Sequence, residues 1–327
     1  MTTMEKAIII ENLIKVYREK TDRPVRALDG LSLQVKKGEI FGLLGRNGAG
    51  KTTLLRILTT LIQPTSGSVS VLGLDVQKCA NEVRKNICVV LQENAVELYL
   101  SVADNLGTYA RFHSIPTREI EHRAARVIEQ FGLGEYRHQK VIDLSGGLKR
   151  RVQVAKVFMV DKPIVFLDEA TTGMDPINKR VTLDAIRDQA RIGRTIFLTT
   201  HILQEAEELC DSIAIIDRGK CLASGDLHTI KSLASNVFDI SITFDSLTEK
   251  TLRELQSLPI LKMSHKHNTV EMSVKGNELS ALEIMNMLAE ANSIVHFEVN
   301  SATLEDVFLE LLGENVLNVP DREKTMP

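Results

Sequence analysis

The chain has 327 residues, 43% of them hydrophobic and 25% charged, the balance of a soluble globular protein long enough for two domains. A net charge of −3 supplies no basic field for nucleic acid, and no run approaches the roughly 18 consecutive apolar residues of a membrane-spanning helix. The four cysteines, Cys79, Cys88, Cys210 and Cys221, form no CxxC pair, which argues against a zinc or dithiol site and for free thiols in a reducing compartment.

In chain order, the amino-terminal stretch MTTMEKAIIIENLIKVY interrupts its apolar residues with Glu11 and Lys15, unlike a secretory leader. Residues 5–40 alternate short apolar segments with turns. EIFGLL then reads as a buried strand, GRNGAGKT as a loop and TTLLRILTTL as a helix. Gly45, Gly50, Lys51 and Thr52 fit G-x-x-x-x-G-K-[ST], in the strand–loop–helix setting that a phosphate-binding loop needs. Glycines let successive N–H groups turn toward phosphate oxygens, and the helix N-terminus adds a favourable dipole. Lys51 is expected to reach the β- and γ-phosphates and Thr52 to coordinate Mg²⁺. A glycine-rich turn with a chance lysine is the bland alternative, and the flanking strand and helix count against it.

NICVVLQ reads as the next strand, and residues 99–160 turn helical, with apolar spacing of three and four in SVADNLGTYARFH and TREIEHRAARVIEQFG. LSGGLKRR, residues 144–151, opens another helix with Ser145, Gly146 and Gly147 at its start, a second place where phosphate could dock. One nucleotide rarely needs two such helix ends in one domain, so the surplus points to a site assembled from two molecules. IVFLDE, residues 164–169, is a buried strand delivering two acids to a sheet edge: Asp168 to hold Mg²⁺ and Glu169 to polarise the attacking water. Asp175 and Pro176 make an N-cap and first-turn pair before the helix PINKRVTLDAIRDQAR, and RTIFLTT is the strand after it. Strands alternating with helices predict a parallel sheet. SIAIIDRGKCLASG reads as a hairpin turning at Asp217–Gly219, and DLHTIKSLA closes the unit.

LSGG lying between a phosphate loop and an LDE strand resembles the signature of ABC transporter ATPases, and the resemblance covers about residues 5–235. It implies a P-loop NTPase core with an antiparallel β subdomain from residues 5–40 and a helical signature subdomain at about residues 93–160 that faces a membrane partner. It implies ATP contacts from Gly45, Arg46, Asn47, Gly48, Ala49, Gly50, Lys51, Thr52 and Thr53. Further positions agree with the family. Gln92 matches the glutamine that touches Mg²⁺, His201 the histidine that senses the γ-phosphate, and Tyr17 the aromatic stacked on adenine. Gly173, Met174 and Asp175 match the loop that crosses the dimer interface. Two residues depart from the common pattern: Leu148 stands where glutamine or methionine is usual, and Ala170 where proline is common. Neither removes a catalytic group. Taken singly, Tyr17 and His201 would read as core or strand-end residues; their order carries the weight.

From about residue 236 the rhythm becomes β-α-β-β-α-β with a final helix, a small α+β unit of ferredoxin-like kind spanning 236–316, with a polar tail at 317–327. His265 and His267 flank Lys266 in a turn and read as solvent-exposed. LEDVFLEL resembles the C-terminal extension of daunorubicin-resistance-type exporter ATPases. The resemblance implies an ATPase that closes as a dimer, most simply a homodimer, around two ATP molecules. It implies separate multi-span membrane subunits, a place at the cytoplasmic face of the cell membrane, and export of a small hydrophobic drug or lipid-like compound. The competing reading is a soluble ABC ATPase acting on ribosomes or DNA. Against it, the chain holds one ATPase unit, has no basic patch, and separates loop from signature by only about a hundred residues, too few for a long coiled-coil insertion. A P-loop kinase or GTPase would leave LSGG, Gln92 and His201 unexplained.

Overall fold

Three sheets organise the described residues of the computed structural model, which are 5–18, 24–92, 95–233, 237–256, 260–275, 284–288, 293–300 and 303–312. The first is antiparallel and built from β1 (Lys6–Tyr17), β2 (Val25–Lys36), β4 (Ser66–Val71) and β5 (Leu74–Asp75) in the order β2-β1-β4-β5. Alternation along β2 buries Leu31, Leu33 and Val35 and leaves Ser32, Gln34 and Lys36 outward.

The second sheet carries the site. Its six strands run β10-β9-β3-β8-β7-β6, where β3 is Ile40–Leu44, β6 Ile87–Val90, β7 Ile164–Asp168, β8 Thr195–Thr200, β9 Ser212–Asp217 and β10 Lys220–Asp226. All neighbours are parallel except the β9–β10 hairpin at one edge, whose ladder closes at Asp217 and Lys220. β3, β7 and β8 are buried at every position, as strands covered on both faces must be. Phe197 stacks on Phe41 at 5.5 Å and meets Phe166 at 5.6 Å, tying the three central strands together through one aromatic row.

Helices fill the connections. α1 is Lys51–Leu58, α2 Ala80–Asn86, α3 Val102–Phe112, α4 Thr117–Gln130, α5 Gly146–Val157, α6 Pro176–Arg191, α7 Leu203–Leu209 and α8 Leu227–Lys231. α3, α4 and α5 form the helical subdomain. Ser101 caps α3 by accepting from the Asp104 N–H at 3.1 Å, and buried Asn105 exchanges hydrogen bonds with both the N–H and the carbonyl of Glu97. That asparagine also donates to the Leu100 and Ser101 carbonyls, holding the turn that leads into α3.

Two compact units result, Met1–Leu227 and His228–Pro327, dividing after the first residue of α8, some residues ahead of the sequence boundary expected at 235/236. The second unit contains β11 (Val237–Phe244), α9 (Glu249–Gln256), β12 (Ile260–Lys266), β13 (Thr269–Lys275), a helical segment at 284–288 (α10), β14 (Ile294–Asn300) and α11 (Leu304–Leu311). Its sheet order, β12-β13-β11-β14 with every pair antiparallel, is that of a ferredoxin-like fold. Ile240, Ile242, Phe244, Val270, Met272 and Val274 give this unit a core of its own. The turn at His267 and Asn268 is exposed. The tail at 317–327 lies outside the described residues.

Candidate active site

Parallel strands present their carboxyl ends at one edge of a sheet, and four neighbouring strands here deliver site residues to that edge. β3 leads into the loop 45–50, β8 into His201, β7 into Asp168 and Glu169, and β6 into Gln92.

The loop is cramped as well as turned. A Cβ on Gly45 would lie 2.4 Å from the Ile216 carbonyl oxygen. Gly50, the N-cap of α1, has φ 111°, and a Cβ there would lie 2.6 Å from the Ala27 carbonyl oxygen. Arg46, Asn47 and Gly48 are exposed, Ala49 is buried, and Thr52 and Thr53 are half-buried. The Lys51 ammonium folds over the loop, donating to the Gly45 carbonyl at 2.6 Å and the Arg46 carbonyl at 3.1 Å. Burial lowers its pKa, and the Glu169 and Asp168 carboxylates oppose that shift. The first turn of α1 carries no acid, so its N-terminal dipole stays uncompensated.

Asp168 is buried at the end of β7. Its Oδ1 accepts from Thr199 Oγ1 at 2.5 Å, and its Oδ2 lies 3.5 Å from Thr52 Oγ1. A hydroxyl and a carboxylate oxygen at that separation fit one hard cation. Glu169 follows with φ 49°, a left-handed backbone uncommon for a residue with a side chain. Its N–H donates to the Thr199 carbonyl at 3.1 Å. Its carboxylate meets His201 Nδ1 at 3.0 Å through Oε1 and accepts from Gln92 Nε2 at 3.3 Å through Oε2. Thr172 Oγ1 stands 3.5 Å from the same Oε2. Lys51, Thr52, Gln92, Asp168, Glu169 and His201 therefore form one constellation.

The remaining expected residues lie elsewhere. Ser145 caps α5 by accepting from the Leu148 N–H at 3.3 Å, and Ser145 and Gly146 are exposed at that helix end. Gly147 is buried against the next loop: a Cβ on it would lie 3.2 Å from the Gly173 carbonyl oxygen and from Met174 Cα. Asp175, exposed, caps α6 by accepting from the Asn178 N–H at 2.9 Å. Tyr17 ends β1 opposite Val25, two residues before the Ala27 that abuts Gly50, and Lys15 Nζ sits 5.2 Å from its ring centroid. Among the described residues, no hydrogen bond joins Tyr17, Ser145 or Asp175 to the constellation around Glu169.

Comparison with known proteins decides the family. An ABC transporter model matches residues 28–172, and a model of the C-terminal domain of DrrA1-3-like ATP-binding proteins matches residues 225–312. The daunorubicin/doxorubicin resistance ATP-binding protein DrrA of Streptomyces peucetius is 36% identical, over 95% of this chain and 94% of its own. The chain belongs to the ATP-binding proteins of ABC transporters. The Nod factor export ATP-binding protein I of Rhizobium meliloti (strain 1021) is 33% identical over 95% of this chain and 90% of its own. A solved ATP-binding subunit of an ABC transporter superimposes with a TM-score of 0.62 at 26% identity, covering 69% of this chain and 92% of that one.

As an ABC ATPase, the chain binds and hydrolyses ATP. Its two departures from the family pattern are both buried. Leu148 lies on α5, and Ala170 lines a small cavity with Leu167, Leu183, Ile186 and Leu198 and with the polar Thr199 and Glu205. Three polar residues at the site escaped the sequence pattern. Thr199 holds Asp168 and Glu169 in register with β8. Glu205 accepts from the Thr171 and Thr200 hydroxyls and pairs with Lys179 at 2.9 Å. Arg150 donates to backbone carbonyls around Asp168 and Glu169. A threonine inside an apolar strand or an arginine inside a helix gives no advance sign of which carbonyl it will meet.

Proposed function

We propose that this chain is the ATP-hydrolysing subunit of an exporter, working as a pair of copies beneath separate membrane-spanning chains. The observation that carries the reading is the partition of its site residues: the phosphate loop and Glu169 constellation lie in one place, while the exposed Ser145–Gly146 end of α5 makes no hydrogen bond to it among the described residues. Two copies facing each other would bring each loop to the other's signature end and enclose two ATP molecules.

Within that arrangement each residue has a task. The loop N–H groups and α1 bind the phosphates. Lys51 has three N–H donors, two of them on loop carbonyls, and the third serves a phosphate oxygen. Thr52, Asp168 and Gln92 would hold Mg²⁺, which neutralises phosphate charge when bound. Glu169, oriented by Gln92 and His201, takes a proton from the attacking water. Ser145 and the backbone of Gly146 and Gly147 contact the partner's γ-phosphate, so ATP favours the closed pair and hydrolysis reopens it. Tyr17 stacks on the adenine. Among the described residues no helix is long and apolar enough to cross a membrane; the proposed place is the cytoplasmic face of the membrane. The names of two relatives speak of daunorubicin and doxorubicin resistance and of Nod factor export. They support a small hydrophobic cargo, a drug or lipid-like molecule.

Three measurements test this. Glu169→Gln should lower steady-state turnover at least about a hundredfold while trapping an ATP-bound dimer on size exclusion; ordinary phosphate release would remove Glu169 from its role. Ser145→Arg should abolish hydrolysis yet leave ATP affinity of the single chain within about threefold, because binding rests on the loop. Lost binding would count against a shared site. Glu169→Gln with ATP, used as bait in detergent-solubilised native membranes, should recover a multi-span chain. Recovery of ribosomes or DNA-bound proteins alone would favour the soluble reading.

A further inference from the structure

β6 and β7 pair for the last time at Val90 and Leu167. Among the described residues no backbone pairing joins the two strand ends beyond that point, yet Gln92 follows one and Asp168–Glu169 lie at the end of the other. The guanidinium of Arg150, from the second turn of α5, spans the gap. Its Nη1 donates to the Leu91 carbonyl at 2.8 Å. Its Nη2 donates to the Asp168 carbonyl and, at 3.1 Å, to the Glu169 carbonyl. Gln153, one turn on, donates to the same Leu91 carbonyl at 2.9 Å and accepts from Arg150 Nη1 at 2.8 Å.

Arg150 is only 7% exposed. Burying a guanidinium is costly, and an apolar side chain would serve better if adhesion of α5 to the sheet were the whole task. Among the described residues no carboxylate side chain forms an ion pair with it. Its donors go instead to main-chain oxygens on two segments, for which a rigid planar fork is suited and a flexible ammonium is not. The Glu169 backbone is thereby held on both sides of its Cα, its N–H by the Thr199 carbonyl and its own carbonyl by Arg150. That double restraint sits where the backbone is left-handed and would otherwise relax.

We infer that Arg150 is a positioning residue for hydrolysis: it locks the Asp168–Glu169 turn against the strand end bearing Gln92, so that the Glu169 carboxylate stays between Gln92 and His201. The inference rests on Glu169 being the base.

The test is ATP hydrolysis and nucleotide binding by the purified full chain. Arg150→Met should lose about tenfold or more in kcat, with KM for ATP changed by less than about threefold, because a misplaced base slows chemistry while the loop still binds. Arg150→Lys, which keeps the charge and loses the fork, should fall between Arg150→Met and the parent, and it carries the test if Arg150→Met does not fold. Arg194→Met removes another buried arginine, one that holds the Val160 carbonyl and Asp161 away from Glu169. It should lower the melting temperature without a selective loss of kcat per folded molecule. Combining Arg150→Met with Gln92→Ala should cost little more than the worse single change. A folded Arg150→Met or Arg150→Lys with parental kcat overturns the inference. So does a loss matching that of Arg194→Met, or full additivity with Gln92→Ala. Glu169→Gln separates the two levels. Full turnover there defeats the base assignment and this inference with it. An inactive Glu169→Gln beside normal Arg150 variants defeats only the role of Arg150.

Discussion

Gly50 shows how little room a single residue leaves at the phosphate loop. With φ 111° and the Ala27 carbonyl 2.6 Å from where a Cβ would stand, alanine is excluded by both conformation and space. Gly50→Ala should cost at least about 1–2 kcal/mol in stability and more in nucleotide affinity. Thermal melts with and without ATP check this: the variant should melt lower, and added ATP should raise its melting temperature little or not at all. At this scale the grouping of the candidate site was largely legible. Gly45, Gly50, Lys51, Thr52, Asp168 and Glu169 were readable because phosphate and metal chemistry dictates residue type and spacing. Gln92 and His201 became readable only through family resemblance, since a glutamine or histidine after a strand has no distinctive local chemistry. Thr199, Glu205 and Arg150 were illegible. Their partners come from segments far away in the chain, and only folding reveals which oxygen each one meets.

Among the elements, α6 offers a sign-definite test in acid. The Asn178 N–H, and next the Asn178 side chain, hold the Asp175 carboxyl below its ordinary 3.8. A depressed carboxylate contributes stability above its unfolded pKa, and that contribution is lost as pH falls through the folded value. Asp175→Asn keeps the cap without the titration. Its melting temperature should therefore fall less than the parent's between about pH 5 and pH 3; identical slopes would remove Asp175 from the acid sensitivity. The long elements, α4, α6 and the buried β7 and β8, were legible from periodicity and apolar runs. β4 was missed because SGSVSV has the composition of a linker. It becomes a strand through pairing with β1, with Val69 opposite Ile10 and Val71 opposite Ile8, an instance of tertiary pairing overriding local preference.

On the scale of the whole molecule, every proposed ATP-site residue falls within the first compact unit, and the second has its own sheet and core. A chain ending at residue 233 should therefore bind ATP with a Kd within about threefold of the full chain's, measured with a fluorescent nucleotide. A large loss would show that the ferredoxin-like unit supports nucleotide binding. The α/β architecture of the first unit followed from strands alternating with helices, and the β-α-β-β-α-β rhythm anticipated the second. The convergence of four strand ends on one edge did not follow from rhythm alone, because strand order is set by how the crossovers pack. That edge places Glu169 at φ 49°, where glycine would suit the backbone better and, with Glu169 as the base proposed above, would lose the reaction. Laboratory selection for heat resistance alone would thus tend to erase this glutamate, and the warmer-lasting survivors would be silent ones, able to grip ATP and unable to spend it.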